Sequence, residues 1–128
     1  MRLLLDTSTL LWFWLGGRSL SEMVLEAIQE PRNDVYVSPL SAMEITNKHR
    51  IGKLPGVEGI IANFDDALGA DRLLILPLNS AHALLAGSIK AEPRDPFDRM
   101  LAGQAIVENL TIVSPDIAFD ALGARRLW

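Results

Sequence analysis

Short apolar runs alternate along this chain with stretches in which apolar residues recur every three or four positions, the rhythms of buried strand and amphipathic helix. "RLLLD" at 2–6 reads as a buried strand ended by a polar residue, and "TSTLLWFWL" as a short helix closed by Gly16-Gly17. Ser19 to Glu30 is predicted helical, because Leu20, Val24 and Ile28 share a face, and Pro31 stops it. "DVYVS" at 34–38, with β-branched and aromatic residues, is a second strand. Ser38-Pro39 opens a helix to about Ile51, ended by Gly52, since proline suits the first helical position. A further helix is predicted from Val57 to Leu68, a third strand over "DRLLILPL" at 71–78, and a helix from about Ser80 to Ile89. "RDPFDRMLAGQAIVENL" carries a strong helix start and "LTIVS" at 110–114 is a fourth strand. A short helix at 116–121 and a small strand near "ARRLW" complete the pattern, with no repeat, linker or low-complexity stretch.

Short apolar strands separated by helices imply a parallel sheet covered on both faces. The expected fold is α/β: a three-layer α/β/α sandwich around a central parallel sheet of four to five strands, in a single domain spanning residues 1–128. In such a sheet the C-terminal ends of the strands lie along one edge, and ligands bind there.

Composition changes this picture only by exclusion. Hydrophobic content of 49% with 22% charged residues is ordinary for a compact chain. The absence of cysteine removes disulfides, thiolate zinc sites and a cysteine nucleophile, and suits a reducing compartment. A net charge of -4 and a pI of about 5.1 argue against holding nucleic acid by bulk attraction, so such a contact is local or bridged by a cation. The apolar run "LLWFWL" at 10–15 falls short of the ~20 residues of a spanning helix. Asp6 sits where the apolar part of a signal peptide should continue, so a cytoplasmic protein with no membrane partner is expected.

Asp6 is also the residue most out of place, a carboxylate at the end of a buried strand. Three more acids fall at or just past the same sheet edge: Glu44 in the helix after the second strand, Asp98 in the first turn after Asp95-Pro96, and Asp116 after the fourth strand. Each also fits a structural role. Asp6 and Asp116 suit helix caps, Asp98 suits the positive end of its helix, and Glu44 suits an ion pair with Lys48, four residues on. Jointly, four converging carboxylates repel one another, and a hard divalent cation resolves the repulsion. Mg2+ or Mn2+ takes oxygen ligands and can activate water against a phosphodiester.

"LLLDTSTLLW", "VSPLSAMEITNKHRIGKL", "RDPFDRMLAGQA" and "LTIVSPD" resemble, in order and over nearly the whole chain, the successive motifs of PIN-domain proteins. Among these they are most similar to the VapC-type toxins of bacterial and archaeal toxin–antitoxin pairs, with "DPFDRMLAGQA" the most specific piece. The resemblance implies a parallel α/β/α sandwich and a Mg2+- or Mn2+-dependent endoribonuclease acting as a toxin. It places the catalytic and metal-binding acids on Asp6, Glu44, Asp98 and Asp116, with Ser114, Thr7 and Arg99 in support. It further implies an RNA substrate, a cognate VapB-like antitoxin and a homodimer. The chain departs from its relatives at Ser8, where many have His, at Met43, where many have Trp, and at "EPRDPFDR", where a His commonly precedes the motif. None of these departures removes a metal ligand.

Other polar residues divide between two readings. Arg94 and Arg99 flank the "DPFD" turn, where they suit either a phosphate or a surface pairing. Lys48, His49, Arg50 and Lys53 form a small basic patch that fits either RNA contact or a solvated face. His82, beside Leu84 and Leu85, reads as structural, and Trp12 and Trp14 as core or dimer-interface residues rather than base-stacking platforms. Two other activities compete. An aspartate-nucleophile phosphatase would resemble "DxDxT", whereas this chain has "DTSTL"; an inactive PIN-fold binding module would not need all four acids.

Overall fold

The computed structural model describes residues 1–16 and 20–128. Five strands, β1 (Arg2–Leu5), β2 (Asp34–Val37), β3 (Leu74–Ile75), β4 (Thr111–Val113) and β5 (Arg125–Leu127), form one sheet in the order β3-β2-β1-β4-β5. Every pairing is parallel, with Leu3 opposite both Val35 and Thr111. The helices are α1 (Thr7–Leu15), α2 (Glu22–Gln29), α3 (Pro39–Arg50), α4 (Glu58–Ala62), α5 (Phe64–Ala70), α6 (Ser80–Ser88), α7 (Pro96–Glu108) and α8 (Ala118–Ala121).

The "LLL" run explains the three layers. Leu3, Leu4 and Leu5 are wholly buried, and successive side chains of a strand point to opposite faces. Leu3 and Leu5 join Leu10, Val24, Ile28 and Leu68 in a core under α1, α2 and α5. Leu4 joins Leu101, Ala102, Ala105 and Phe119 in a second core under α7 and α8. Tyr36 and Ile112 continue that second face from β2 and β4, while Val35, Val37 and Val113 continue the first. The expected α/β/α sandwich with a parallel sheet is therefore present. Among the described residues no helix is long and apolar enough to cross a membrane.

Local chemistry moves several boundaries. The helix expected over 57–68 divides into α4 and α5 at Asn63, whose extended φ of -133° ends one helix and begins the other. Its side-chain amide donates to the Gly59 carbonyl at 3.3 Å, so the asparagine competes for the bonds that would carry the helix on. The third strand shrinks from 71–78 to Leu74–Ile75, because Arg72 adopts a left-handed φ of 58° before it and Pro77 follows. The helix expected from Ser19 begins at Glu22, capped by Ser21, whose hydroxyl accepts from the Val24 amide at 3.2 Å. Leu20 lies outside that helix yet packs on the core; Gly17 and Ser19 lie outside the described residues.

One close approach fixes the helices of the second layer. A Cβ on Gly103 in α7 would sit 2.6 Å from the His82 carbonyl oxygen and 3.1 Å from the Ala86 Cβ of α6. Only glycine lets these two helices lie so near.

Candidate active site

At the C-terminal edge of the sheet, Asp6 leaves β1 and caps α1, its Oδ1 accepting from the Thr9 amide at 2.8 Å. Its other oxygen, Oδ2, accepts from the Ser114 hydroxyl at 2.5 Å. The cap reading and the site reading of Asp6 are thus compatible, because a carboxylate has about four lone-pair positions to share. Burial pushes the Asp6 carboxyl above the ordinary carboxylate range, opposed by the bonds from Ser114 and Thr9 and reinforced by the charge of Glu44.

Ser114 ties two acids together. While donating to Asp6, its Oγ accepts from the Asp116 amide at 3.0 Å. Asp116 then caps the turn after β4 through Oδ1, which accepts from the Ala118 amide at 2.9 Å. On the other side, the buried hydroxyls of Thr7 and Ser41 meet at 2.9 Å and join α1 to α3. The Thr9 hydroxyl donates to the Val113 carbonyl at 2.9 Å, so α1 is also fastened to β4.

Two helix starts bring the remaining acids. Ser38 caps α3 with Pro39 at its first position, which sets Glu44 in the second turn. Asp95 caps α7 ahead of Pro96, its Oδ1 accepting from the Phe97 amide at 2.8 Å and the Asp98 amide at 3.4 Å. Asp6, Glu44, Asp98 and Asp116 line a single cleft, as does Asp95. Thr7, Ser8, Leu101 and Pro115 complete its wall. Burial, then the charges of Asp95, Asp116, Glu44 and Asp6, push the Asp98 carboxyl up to about 7. Among the described residues no three acidic or histidine side chains are gathered tightly enough to hold a metal ion between them.

Asp95 enters this group beyond the four acids expected, because its sequence context signals only a cap. Arg126 was also not marked by any motif. It donates to the Ser114 carbonyl at 3.2 Å and grips Asp120 with both ends of its guanidinium, at 3.0 and 2.9 Å. Glu44 does make the ion pair with Lys48, at 3.2 Å.

Arg99 is corrected by the structure. Instead of facing the cleft to support the acids, its guanidinium donates to the carbonyls of Ala86 at 3.1 Å, Pro93 at 2.8 Å, Ala91 at 3.4 Å and Ile89. Four carbonyls left bare by the end of α6 and the loop after it need donors, and one planar fork supplies them. The basic patch is likewise divided. His49 meets Glu58 at 3.2 Å and Arg50 donates to Asn47 at 3.2 Å, separate from the Lys48–Glu44 pair.

His82 is structural, standing buried in the first turn of α6. Its Nδ1 accepts from the Asn79 amide at 3.1 Å, and its Nε2 reaches Glu108 of α7 at 3.2 Å. Trp14 donates to Asp71 at 2.9 Å and stands edge-on to Phe64, and Trp12 meets Trp128 at a ring separation of 5.8 Å.

Comparison with known proteins gives one family and one fold. The PIN domain family model matches residues 3–124. The chain is similar in structure to VapBC2 from Rickettsia felis, solved bound to a DNA fragment from their promoter, at a TM-score of 0.73 and 19% identity, covering 99% of this chain and 98% of that one. It is similar to VapBC-1 from nontypeable Haemophilus influenzae at a TM-score of 0.72 and 14% identity, covering 99% and 97%. FitAcB from Neisseria gonorrhoeae matches at a TM-score of 0.69 and 19% identity, covering 98% and 96%. Comparison with curated proteins gives no sequence match.

Proposed function

The chain belongs to the PIN domain family, and from that premise we propose that it is a single-domain, metal-dependent endoribonuclease, the toxin of a toxin–antitoxin pair. The observation that carries this reading is the cleft itself. Five carboxylates share it, and their mutual repulsion with burial lifts Asp98 to about 7. Such crowding is unfavourable unless a cation relieves it.

The donor set fits a hard divalent ion, Mg2+ or Mn2+, because every candidate ligand is a carboxylate oxygen. Asp6, Glu44, Asp98 and Asp116 are the residues that would hold it. Since no three of them are gathered tightly, one or two would ligate directly, with water completing the set, which is the usual habit of magnesium. Bound there, the ion would supply an activated water and neutralise charge on the phosphodiester.

The chain's own groups provide the positioning. Ser114 and Thr9 hold Asp6 in one orientation, and Ser114 sets the spacing between Asp6 and Asp116. The Thr7–Ser41 bond fixes α3, and therefore Glu44, against α1. Asp95 and Pro96 fix the start of α7 and so the place of Asp98. The fold likeness to the VapBC and FitAcB assemblies supports a VapB-like antitoxin as partner. A cleft of clustered carboxylates also suits an arginine from such a partner, which can pair bidentately with a carboxylate. The reading includes a homodimer acting in the cytoplasm.

The test is to incubate purified protein with RNA, with Mg2+ or Mn2+ and with EDTA. Cleavage should need the metal and leave 5′-phosphate and 3′-hydroxyl ends. Products ending in 2′,3′-cyclic phosphate would overturn the mechanism. Intact RNA under every metal condition would favour the binding-module reading instead.

A further inference from the structure

The cleft is acidic and its proposed substrate is an RNA strand, so some cation must meet the phosphate that the acids repel. Among the described residues, the basic side chains near the cleft differ sharply in how free they are. Arg99 is spent on four carbonyls, and Arg126 is held by both oxygens of Asp120 and the Ser114 carbonyl. Arg94 lines a separate groove with Ala83, Pro96 and Met100. Lys48 is held only by Glu44, itself a cleft acid, at 3.2 Å. The lysine side chain is 42% exposed against 24% for the glutamate, so it is the more solvent-accessible partner of an acid that lines the cleft.

We propose that Lys48 is the phosphate-binding cation of this site, exchanging Glu44 for a backbone phosphate of the RNA when Glu44 serves the divalent ion. The inference deepens the ribonuclease reading and rests on it. A partly exposed helical pair four residues apart is a weak ionic contact, so the exchange costs little. Lysine suits it, being a compact charge on a flexible stem rather than a rigid fork that demands one geometry. The stem's base is well placed, because α3 is capped by Ser38 and bonded to α1 through Ser41. His49 and Arg50, its neighbours, are engaged with Glu58 and Asn47.

The arrangement makes Lys48 an antagonist of the metal without RNA and its ally with RNA, since both compete for Glu44 until a phosphate gives the lysine another partner. That pair of opposite signs is the test. Lys48→Met and Lys48→Arg would be made in the full chain, with Mn2+ binding followed by electron paramagnetic resonance and binding of a labelled single-stranded RNA followed by anisotropy in Ca2+. Lys48→Met should bind Mn2+ more tightly than wild type. The same variant should bind RNA about tenfold more weakly, and log Kd against log salt should be shallower by roughly 0.7, the loss of one phosphate contact. In Mg2+ its KM should rise more than its kcat falls, and Lys48→Arg should restore RNA binding. A merely structural lysine would leave RNA affinity and salt slope at wild-type values in a normally folded variant, and that result overturns the proposal. Weaker Mn2+ binding by Lys48→Met also overturns it. If the wild-type protein neither binds this RNA nor cuts it, the ribonuclease reading itself fails and takes Lys48 with it.

Discussion

Replacing Asp98 with asparagine should make the metal-free protein more stable while abolishing cleavage. Asp98 lies in the first turn of α7, its carboxyl raised from 3.8 to about 7 by burial and then by Asp95, Asp116, Glu44 and Asp6. At about 1.4 kcal/mol for each tenfold change in proton affinity, such a rise corresponds to at most roughly 4 kcal/mol. The cleft opens to solvent and the side chain is only partly buried, so screening reduces this to roughly 1–2 kcal/mol. The sign follows from linkage: the folded state holds the proton more firmly than the unfolded state. Stability from this residue is therefore full below pH 3.8 and lost as pH rises through 7. Asp98→Asn removes that loss. Melts in EDTA at pH 8 should show the variant unfolding about 4–8 °C higher than wild type. The difference should shrink steadily as pH falls, because the folded wild type then takes up a proton that the unfolded chain binds less firmly. A variant no more stable at pH 8, or a difference that ignores pH, would refute the claim that this carboxyl is held against its neighbours.

Three further substitutions separate structural from chemical roles. Asp95→Ala loses a cap, which typically costs about 1 kcal/mol, but it also removes the charge that acts most strongly on Asp98; its melting temperature should drop less at pH 8 than at pH 5, and activity should persist while the protein stays folded. Gly103→Ala places a methyl 2.6 Å from the His82 carbonyl and should cost about 1–3 kcal/mol in urea unfolding, whereas Gly87→Ala, which meets nothing within 4 Å, should not destabilise. Arg99→Met leaves four carbonyls without their donor and should lower stability by about 2–4 kcal/mol, while RNA affinity at low temperature stays within about twofold. A selective loss of RNA binding in that variant would return Arg99 to the phosphate.

What could be read from the sequence was what local chemistry dictates. The run Leu3-Leu4-Leu5, the Ser38-Pro39 start, the Asp95-Pro96 start and the strand "LTIVS" each declare themselves within a few residues, and together they set Asp6, Glu44, Asp98 and Asp116 along one sheet edge. Long-range partners left no such mark. The bond from Ser114 to Asp6 spans 108 positions, and the Arg126 contact with the Ser114 carbonyl depends on β5 lying beside β4. Flanking the "DPFD" turn, Arg99 suited either a phosphate or a surface pairing, and its direction is set instead by the carbonyls of α6 and the loop after it. Gly103 carried no signal either, since its necessity comes from His82 and Ala86 of another helix.

The central position of β1 has a consequence for the timing of synthesis. Residues 2–5 are made long before one of their two flanking strands, β4 at 111–113, and Asp6 is oriented by Ser114. A nascent chain can therefore close β1 onto β2 early, but the acidic cleft cannot assemble until residues far along the chain have emerged. Contacts of such separation also make folding slow compared with a helical bundle of similar size. If the chain is the nuclease proposed, its activity would thus stay latent in every polypeptide shorter than residue 114, and strand order itself would delay it until synthesis is nearly done.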